Sequence, residues 1–263
     1  MPKGMLIDIS KCIGCRACQV ACKQWNNLPA EKTTFNADWS NPPKRSATTW
    51  TKVDYHLLEE EDDIKWKFVK TQCMHCLEPA CVSACFVEAF KKTEEGAVVY
   101  QENKCVGCRY CMLACPFGVP KYEWEKRFPA VRKCRLCIDR LAQGLEPACA
   151  TACPTGAIKF GERDKLVKEA WERIRSGRGK YVEHVFGEKE VGGTSVLYIS
   201  DVPFEKLGFP ANLPHEPLPD YTWKVLTKIP GVLVGWSALL TAMYFYTKRR
   251  NELDKPEKDS HRG

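Results

Sequence analysis

Four groups of four cysteines are the residues whose types and spacing could carry chemistry in this chain. They are Cys12, Cys15, Cys18 and Cys22; Cys73, Cys76, Cys81 and Cys85; Cys105, Cys108, Cys111 and Cys115; and Cys134, Cys137, Cys149 and Cys153. The first and third groups fit C-x2-C-x2-C-x3-C, in which three thiolates on one tight loop hold a cubane and the fourth points toward a neighbouring cluster. Pro116 after Cys115 completes the bacterial ferredoxin form of this run. The spacing therefore predicts four 4Fe-4S clusters that relay electrons.

Two other uses of clustered cysteines fit the chain less well. Disulfide frameworks are typical of short secreted domains with a leader peptide. This chain has 263 residues, and Met1–Ser10 shows no cationic region followed by an apolar core. Structural zinc sites use C-x2-C pairs, but the closely following third and fourth cysteines are not their pattern. We expect cluster ligation, with zinc as the remaining alternative.

The net charge is consistent with clusters held inside the protein. The formal charge of +7 counts each cysteine as a neutral thiol. An oxidised 4Fe-4S cluster with four thiolates carries about two negative charges, so four clusters would bring the total to about minus one. Several basic residues lie beside ligands, where a cation would stabilise a reduced cluster: Arg16, Lys23, Lys104, Arg109, Lys133 and Arg135. Nucleic-acid binding is not favoured, because no aromatic-basic motif accompanies the basic residues.

The residues after each group indicate which groups share a module. After Cys85, two apolar stretches flank Thr93–Gly96, which predicts a β-hairpin leading to Cys105. This is the middle of a compact ferredoxin domain, so the second and third groups should share two clusters and exchange fourth ligands. By elimination the outer groups pair across the intervening chain, and the turn after Cys153 supports closure of that module. His75 lies between two ligands and is expected to supply at most a hydrogen bond to a cluster.

This pairing predicts two ligand sets in each module. They are cluster A with Cys12, Cys15, Cys18 and Cys153; cluster B with Cys134, Cys137, Cys149 and Cys22; cluster C with Cys73, Cys76, Cys81 and Cys115; and cluster D with Cys105, Cys108, Cys111 and Cys85. No Ser/His/Asp arrangement or glycine-rich nucleotide motif is found, so no catalytic residue is predicted.

The predicted fold class is α+β, with two bacterial-ferredoxin-like modules of two clusters each knitted together. Alternating side chains on both sides of the acidic run Glu59–Asp63 predict an inserted β-hairpin, and apolar residues at helical spacing predict a helix over Asp164–Arg175. The predicted divisions are an outer module at 1–24 and 130–200, the hairpin segment at 25–72, an inner module at 73–129, a proline-rich linker at 201–222, a transmembrane anchor at 223–248 and a charged tail at 249–263.

The anchor is predicted from the uncharged stretch Ile229–Thr247, whose nineteen residues are enough to span a bilayer as a helix. A buried core helix is the alternative for a stretch of this length. One face carries a stripe of small residues that would let another membrane helix approach: Gly231, Gly235, Ala238 and Ala242. A chance run of small residues explains the stripe equally well.

The charges flanking the anchor predict its orientation. Lys248, Arg249 and Arg250 follow the helix, whereas only Lys224 and Lys228 closely precede it. Because basic residues favour the cytoplasmic side, we expect a single-pass protein of the prokaryotic cytoplasmic membrane, with a cytoplasmic C-terminus and an extracytoplasmic cluster body. The body would then cross the membrane folded, with a partner that carries a twin-arginine signal. A cytoplasmic body is the alternative.

Several stretches resemble the β subunits of membrane-bound formate dehydrogenases. They are IDISKCIGCRACQVACKQWN at 7–26, CMHCLEP from Cys73, CVGCRYC from Cys105, EPACATACPTGAI from Glu146, and Gly192-Gly-Thr194. With the terminal helix, the resemblance covers nearly the whole chain. Phe86 departs from the proline often found after that cysteine in the family.

The resemblance implies an electron-transfer subunit within a three-part complex. A molybdenum or tungsten pterin subunit would oxidise formate, this chain would carry the electrons, and a cytochrome b subunit would reduce quinone. The cysteine framework is also similar to that of subunits serving hydrogenases or other molybdopterin oxidoreductases, so these stay open as alternatives. A structural metal-binding adaptor is a third, more distant possibility.

Overall fold

The computed structural model describes residues 2–34, 39–60 and 63–253. Contacts divide the chain into two units, Met1–Pro219 and Asp220–Gly263. The centre of the predicted acidic turn and residues 254–263 of the predicted charged tail lie outside the described residues.

Helices are interspersed with strands along the first unit, as expected for a mixed α and β fold. The strands are β1 (Lys3–Asp8), β2 (Lys52–Glu60), β3 (Asp63–Thr71), β4 (Phe90–Lys92), β5 (Val98–Tyr100), β6 (Lys121–Tyr122), β7 (Val131–Arg132), β8 (Ile158–Glu162) and β9 (Val196–Ile199). The α-helices are α1 (Ala17–Trp25), α2 (Ala80–Ser83), α3 (Tyr110–Ala114), α4 (Ile138–Leu141), α5 (Ala148–Thr151), α6 (Arg163–Ser176), α7 (Leu218–Leu226) and α8 (Ile229–Leu253).

A three-stranded sheet with order β8-β1-β9 brings distant parts of the first unit together. β1 pairs antiparallel with β8, where Met5 lies opposite Phe160, and parallel with β9, where Met5 lies opposite Val196. The strand that precedes the first cysteine loop, β1, therefore shares one sheet with two strands from the C-terminal part of the first unit.

β1 is buried on both faces from Gly4 to Asp8, and its central residues Met5, Leu6 and Ile7 are apolar. Leu6 packs with Leu166, Ala170 and Ile174, the apolar stripe of α6. This confirms the helix predicted over Asp164–Arg175. Met5 lies in the main core, which also contains ligand-loop cysteines such as Cys18.

The long segment between the first two cysteine groups contains a hairpin of β2 and β3. Its register runs from Lys52 opposite Thr71 to Glu60 opposite Asp63. A second hairpin pairs β4 with β5, with Phe90 opposite Tyr100. It occupies the position predicted for the middle of the inner module.

The prediction of an extended proline-rich linker starting at residue 201 is wrong for its first part. Phe204–Leu207 forms a 3-10 helix after Pro203, and both Phe204 and Leu207 are buried in the main core. The ring of Phe209 lies 4.7 Å from that of Phe186. The prolines set the turn, but apolar residues between them contribute core contacts, so the body extends past this point.

The second unit consists mainly of α8, with α7 beginning just before the unit boundary. Leu218–Leu253 is, among the described residues, the stretch long and apolar enough to cross a membrane. The side chains of α8 are exposed on every face. An apolar helix exposed all round is typical of a segment that lipid covers, which is compatible with the predicted anchor.

Candidate cluster sites

The loops of the first and third cysteine groups have the same backbone conformation. Gly14 and Gly107 have φ values of +69° and +71°. Arg16 and Arg109 follow with φ values of 60° and 63° and precede α1 and α3. A left-handed turn at both positions wraps three cysteines around one point, after which the helix carries the fourth cysteine away. Equal conformations at equal spacing indicate the same kind of ligand in both loops.

The cysteines of the two outer groups line two neighbouring cavities. Cys12, Cys15, Cys18 and Cys153 line the first. Cys22, Cys134, Cys137 and Cys149 line the second. Each cavity combines three cysteines of one segment with one from the other. These are the groupings that the sequence predicted as sets A and B.

The cysteines of the inner groups also lie near one another across segments. Burial raises the pKa of Cys76, and Cys73, Cys115 and Cys81 raise it further. These are the members predicted for set C.

The members predicted for set D show the same proximity. Burial raises the pKa of Cys111 to about 12, reinforced by Cys105, Cys85 and Cys108. Each of these neighbourhoods thus combines three cysteines of one group with one from the other, as the two outer cavities do.

Electrostatic contacts also link individual cysteines that belong to different predicted sets. Burial, opposed by Lys70 and reinforced by Cys149, raises the pKa of Cys18 to about 12. Burial also raises the pKa of Cys134, and Cys22 and Cys73 add to it. These pairs join set A to set B and set B to set C.

The last pair joins set C to set D. Burial, opposed by Lys133, raises the pKa of Cys81 to about 12, and Cys111 contributes to the rise. These electrostatic contacts therefore link set A to set B, set B to set C and set C to set D. Cys15 of set A and Cys108 of set D are exposed, whereas every cysteine of sets B and C is buried or half-buried.

The cysteines that line each outer cavity come from two separate segments, as the ligands of a two-cluster ferredoxin do. All sixteen cysteines are free thiols. Among the described residues, no three His, Cys, Asp or Glu side chains converge tightly enough for a single metal ion. Four thiols around one cavity suit an iron-sulfur cubane, which takes four thiolate ligands. Burial disfavours these thiolates unless positive charge compensates them, and iron would supply that charge while displacing the thiol protons.

One charged residue in this region was missed by the sequence analysis. Lys70, on β3, is buried and lines the cavity of set A. Burial would lower its pKa, but Cys149 and Cys18 hold the pKa above its ordinary value. Alternation in β3 could have found it, because Lys70 continues the face of Ile64, Trp66 and Phe68.

The six basic residues predicted beside ligands have different environments. Lys133 is buried, with its Nζ 3.8 Å from Cys73 Sγ. Arg16 lies 4.7 Å from the ring centre of Tyr55, and Arg109 lies 5.0 Å from that of Trp124. Lys23 donates to two main-chain carbonyls, while Lys104 and Arg135 are exposed. Among these six, Lys133 is the one in contact with a ligand sulfur.

Comparison with known families identifies the cofactor class. Residues 11–89 and residues 64–163 each match a family model described as a 4Fe-4S dicluster domain. Together these matches cover all sixteen cysteines. The prediction of iron-sulfur clusters is thereby confirmed.

Three relatives align over most of this chain. A protein of Nitratidesulfovibrio vulgaris is 44% identical over 97% of this chain and 69% of its own length. The nitrate-inducible formate dehydrogenase iron-sulfur subunit of Escherichia coli K12 is 37% identical over 97% of this chain and 89% of its own length. The Hydrogenase-2 operon protein HybA of Escherichia coli O157:H7 is 38% identical over 79% of this chain and 72% of its own length.

Proposed function

Because this chain belongs to the family of formate dehydrogenase iron-sulfur subunits, we propose that it relays electrons from a molybdopterin catalytic subunit to a membrane cytochrome b subunit. It is an electron-transfer subunit and is not itself catalytic. The substrate of the catalytic partner would be formate. The observation that carries the proposal is the spatial series of four cysteine sets, exposed at its two ends and covered in its middle.

The ligands in this proposal are the four predicted sets, each holding one 4Fe-4S cluster. Support comes from the two cavities lined by sets A and B and from the electrostatic neighbours within sets C and D. A 4Fe-4S cluster supplies reversible one-electron chemistry when bound. The chain's own contribution is to fix the order of the sites, exclude water and place charges that set their potentials.

Electrons would enter near one exposed end and leave near the other. Cys15 and Cys108 mark these ends. Around set D, large apolar side chains are exposed where a partner could cover them: Phe86, Val106, Tyr110, Leu113, Trp124 and Phe128. Ile13 and Val20 are exposed near set A. Both ends therefore offer surface for a neighbouring subunit.

The first experiment is anaerobic isolation of the complex in mild detergent, followed by addition of formate and then hydrogen. Rapid bleaching of cluster absorbance by formate alone is the expected result. Bleaching by hydrogen alone would assign the chain to a hydrogenase, a second candidate favoured by its similarity to HybA. Bleaching by neither, with full iron content, would indicate another molybdopterin oxidoreductase. Iron without labile sulfide, or zinc in place of iron, would indicate a structural adaptor instead.

We further propose that α8 anchors the protein in the cytoplasmic membrane as a single pass. The support is its apolar, exposed surface and the basic residues Lys248–Arg250 that follow it. With this charge distribution the C-terminus would lie in the cytoplasm and the cluster body outside it. Added protease should then digest the body in intact spheroplasts. Protection of the body there would establish the alternative, a cytoplasmic body.

The small-residue stripe of α8 is proposed to face a membrane helix of the cytochrome b partner. A side chain added at Gly231 or Gly235 would meet nothing within 4 Å in this protein. The stripe thus leaves room for the close backbone approach that small residues permit.

A further inference from the structure

His75 occupies a strained, buried position at the boundary between the predicted modules. It lies between Cys73 and Cys76 of set C and has no exposed surface. Its φ of 49° is in the left-handed region, which is unfavourable for a residue with a Cβ. Such strain persists only where surrounding contacts hold it, and it is common at functional sites.

The hydrogen bonds of His75 define which ring nitrogen carries its proton. The main-chain N–H of Val98 donates to Nδ1 at 2.9 Å, so Nδ1 must be the unprotonated acceptor. Nε2 therefore carries the proton in the neutral ring, and it lies 3.5 Å from Cys134 Sγ. Cys134 belongs to set B of the other module. A loop of the inner module thus donates a hydrogen bond to a ligand of the outer module.

Lys133 makes the opposite contact. It directly precedes Cys134 in the outer module and is buried, with 3% of its surface exposed. Its Nζ lies 3.8 Å from Cys73 Sγ of set C and donates to the carbonyl oxygen of Cys134 at 3.0 Å. A cation from the outer module is therefore held against a ligand of the inner module.

Val98 connects these two contacts. Its N–H fixes the ring of His75, and its carbonyl oxygen accepts a hydrogen bond from Lys133 Nζ. Val98 begins β5, and β5 is fixed in turn by pairing with β4. One rigid backbone residue thus orients both donors toward the Cys73 and Cys134 sulfurs.

We propose that His75 and Lys133 form a reciprocal junction, in which each residue stabilises the reduced cluster of the opposite module. The inference rests on the proposed ligand sets. Hydrogen bonds and positive charge at a ligand sulfur favour the reduced state and raise the potential. The crossing between modules would move one electron from one ligand set to the other.

Redox titration of the anaerobic complex, monitored by electron paramagnetic resonance, tests this junction. His75→Leu removes the donor and should shift the potential of cluster B to a more negative value, whereas His75→Gln keeps an N–H donor and should restore most of the shift. Lys133→Met should shift cluster C in the same direction, and Lys133→Arg should shift it less. Lys91→Met, at an exposed position on β4, is the control and should change neither potential.

The crossed pattern is the decisive readout. Signals of clusters B and C are assigned with Cys137→Ser and Cys76→Ser, which alter one ligand of each set. A shift of cluster C by His75→Leu, with cluster B unchanged, would overturn the junction, as would unchanged potentials in both Leu and Met variants. If the wild-type complex lacked four clusters, the proposed function would fail before any variant was compared.

A measurement on the unaltered protein covers the case in which a variant does not assemble. In protein labelled with ¹⁵N-histidine, pulsed electron paramagnetic resonance of reduced cluster B should detect a weak nitrogen coupling through the His75 hydrogen bond. Absence of this coupling from cluster B would overturn the assignment of His75.

Discussion

The phenol of Tyr198 donates a 2.8 Å hydrogen bond to the main-chain carbonyl oxygen of Lys70. Both residues are buried, and the bond joins β9 of the central sheet to β3 of the hairpin. It fixes the backbone of Lys70 where its side chain lines the cavity of set A and lies near Cys149 of set B. The hairpin thereby supplies a buried cation shared by both outer sets.

Replacing Lys70 by Met should lower the potentials of clusters A and B. The change removes a positive charge while keeping an unbranched side chain of similar length. Two unit charges about 8 Å apart at an effective dielectric constant of about 20 interact by about 2 kcal/mol, so an effect on the order of 1 kcal/mol per electron is expected. Redox titration of all four clusters measures it.

Lys70→Arg is the matched control, because it keeps the charge and should leave the potentials of clusters A and B much closer to wild type. Clusters C and D should be nearly unaffected by either substitution. An equal shift of all four clusters, or equal effects of Met and Arg, would show that the substitution acts through a change in structure and not through charge.

The sequence contained enough information for the local elements and the cysteine groupings. Turn residues between two apolar stretches predicted the hairpin of β4 and β5, and helical spacing predicted α6. Both predictions depend only on residues close together in sequence, so the sequence alone was enough to make them. The residues are Thr93–Gly96 for the hairpin and the apolar stripe from Leu166 to Ile174 for the helix. The spacing of the cysteines also predicted the two groups of four that line the outer cavities, although the ligand sets and what each set binds stay predictions.

What the sequence did not reveal depends on contacts between distant segments. Nothing near Lys133 in sequence shows that its charge is buried. Alternation in β3 indicates the face on which Lys70 lies, but not the groups that cover it, because β9 and β5 provide the covering groups. The proline-rich composition after residue 201 likewise concealed Phe204 and Leu207, whose burial depends on a core built from other segments. Composition describes a segment's intrinsic preferences, whereas burial depends on its partners.

Gly14→Ala should reduce occupancy of cluster A. A Cβ at Gly14 would lie 2.8 Å from Cδ1 of Phe68, and the φ of +69° is unfavourable for alanine. The first loop would have to move away from β3, displacing Cys12 and Cys15. Iron content and the signal of cluster A measure the loss.

Gly118→Ala is the control for backbone strain alone. Gly118 also has a positive φ, +56°, but an added Cβ there would meet nothing within 4 Å. It should cost about 1 kcal/mol of stability with four clusters retained. Equal cluster loss in both variants would mean that the contact with Phe68 is not what constrains the first loop.

The contact between His184 and Glu190 should make stability depend on pH. His184 Nε2 lies 2.6 Å from Glu190 Oε1. The hydrogen bond to Glu190 raises the pKa of His184, and hydrogen bonding from His184 helps hold the pKa of Glu190 below its ordinary value despite burial. The histidine contribution is therefore complete below about pH 6.5 and is lost as pH rises through the raised pKa. The glutamate contribution is present above about pH 4.5 and is lost as pH falls through the lowered pKa.

The difference in apparent melting temperature between wild type and His184→Gln should thus be largest near pH 6 and should shrink as pH rises through the raised pKa of His184. Because the His184 side chain is 48% exposed, solvent screening limits the pair to roughly 0.5 kcal/mol. Comparing the two proteins at each pH cancels the general effect of pH on the clusters. A difference that grows toward alkaline pH would contradict the assigned direction.

Gly235→Leu should weaken the complex with the membrane partner while leaving the anchor inserted. Leucine is more apolar and a better helix former than glycine, so insertion of α8 should not suffer. A bulky side chain on the small-residue stripe would push a packed helix away, at a cost on the order of 1 kcal/mol or more. Co-purification of the cytochrome b subunit in mild detergent measures the complex, and carbonate extraction measures insertion.

Ser237→Leu is the matched control, since residue 237 lies about 200° around the helix from residue 235 and so on the opposite face. Retention of the partner by both variants at the wild-type level would mean that the stripe is a chance run of small residues, whereas its loss from Gly235→Leu alone would place the partner helix against Gly231 and Gly235.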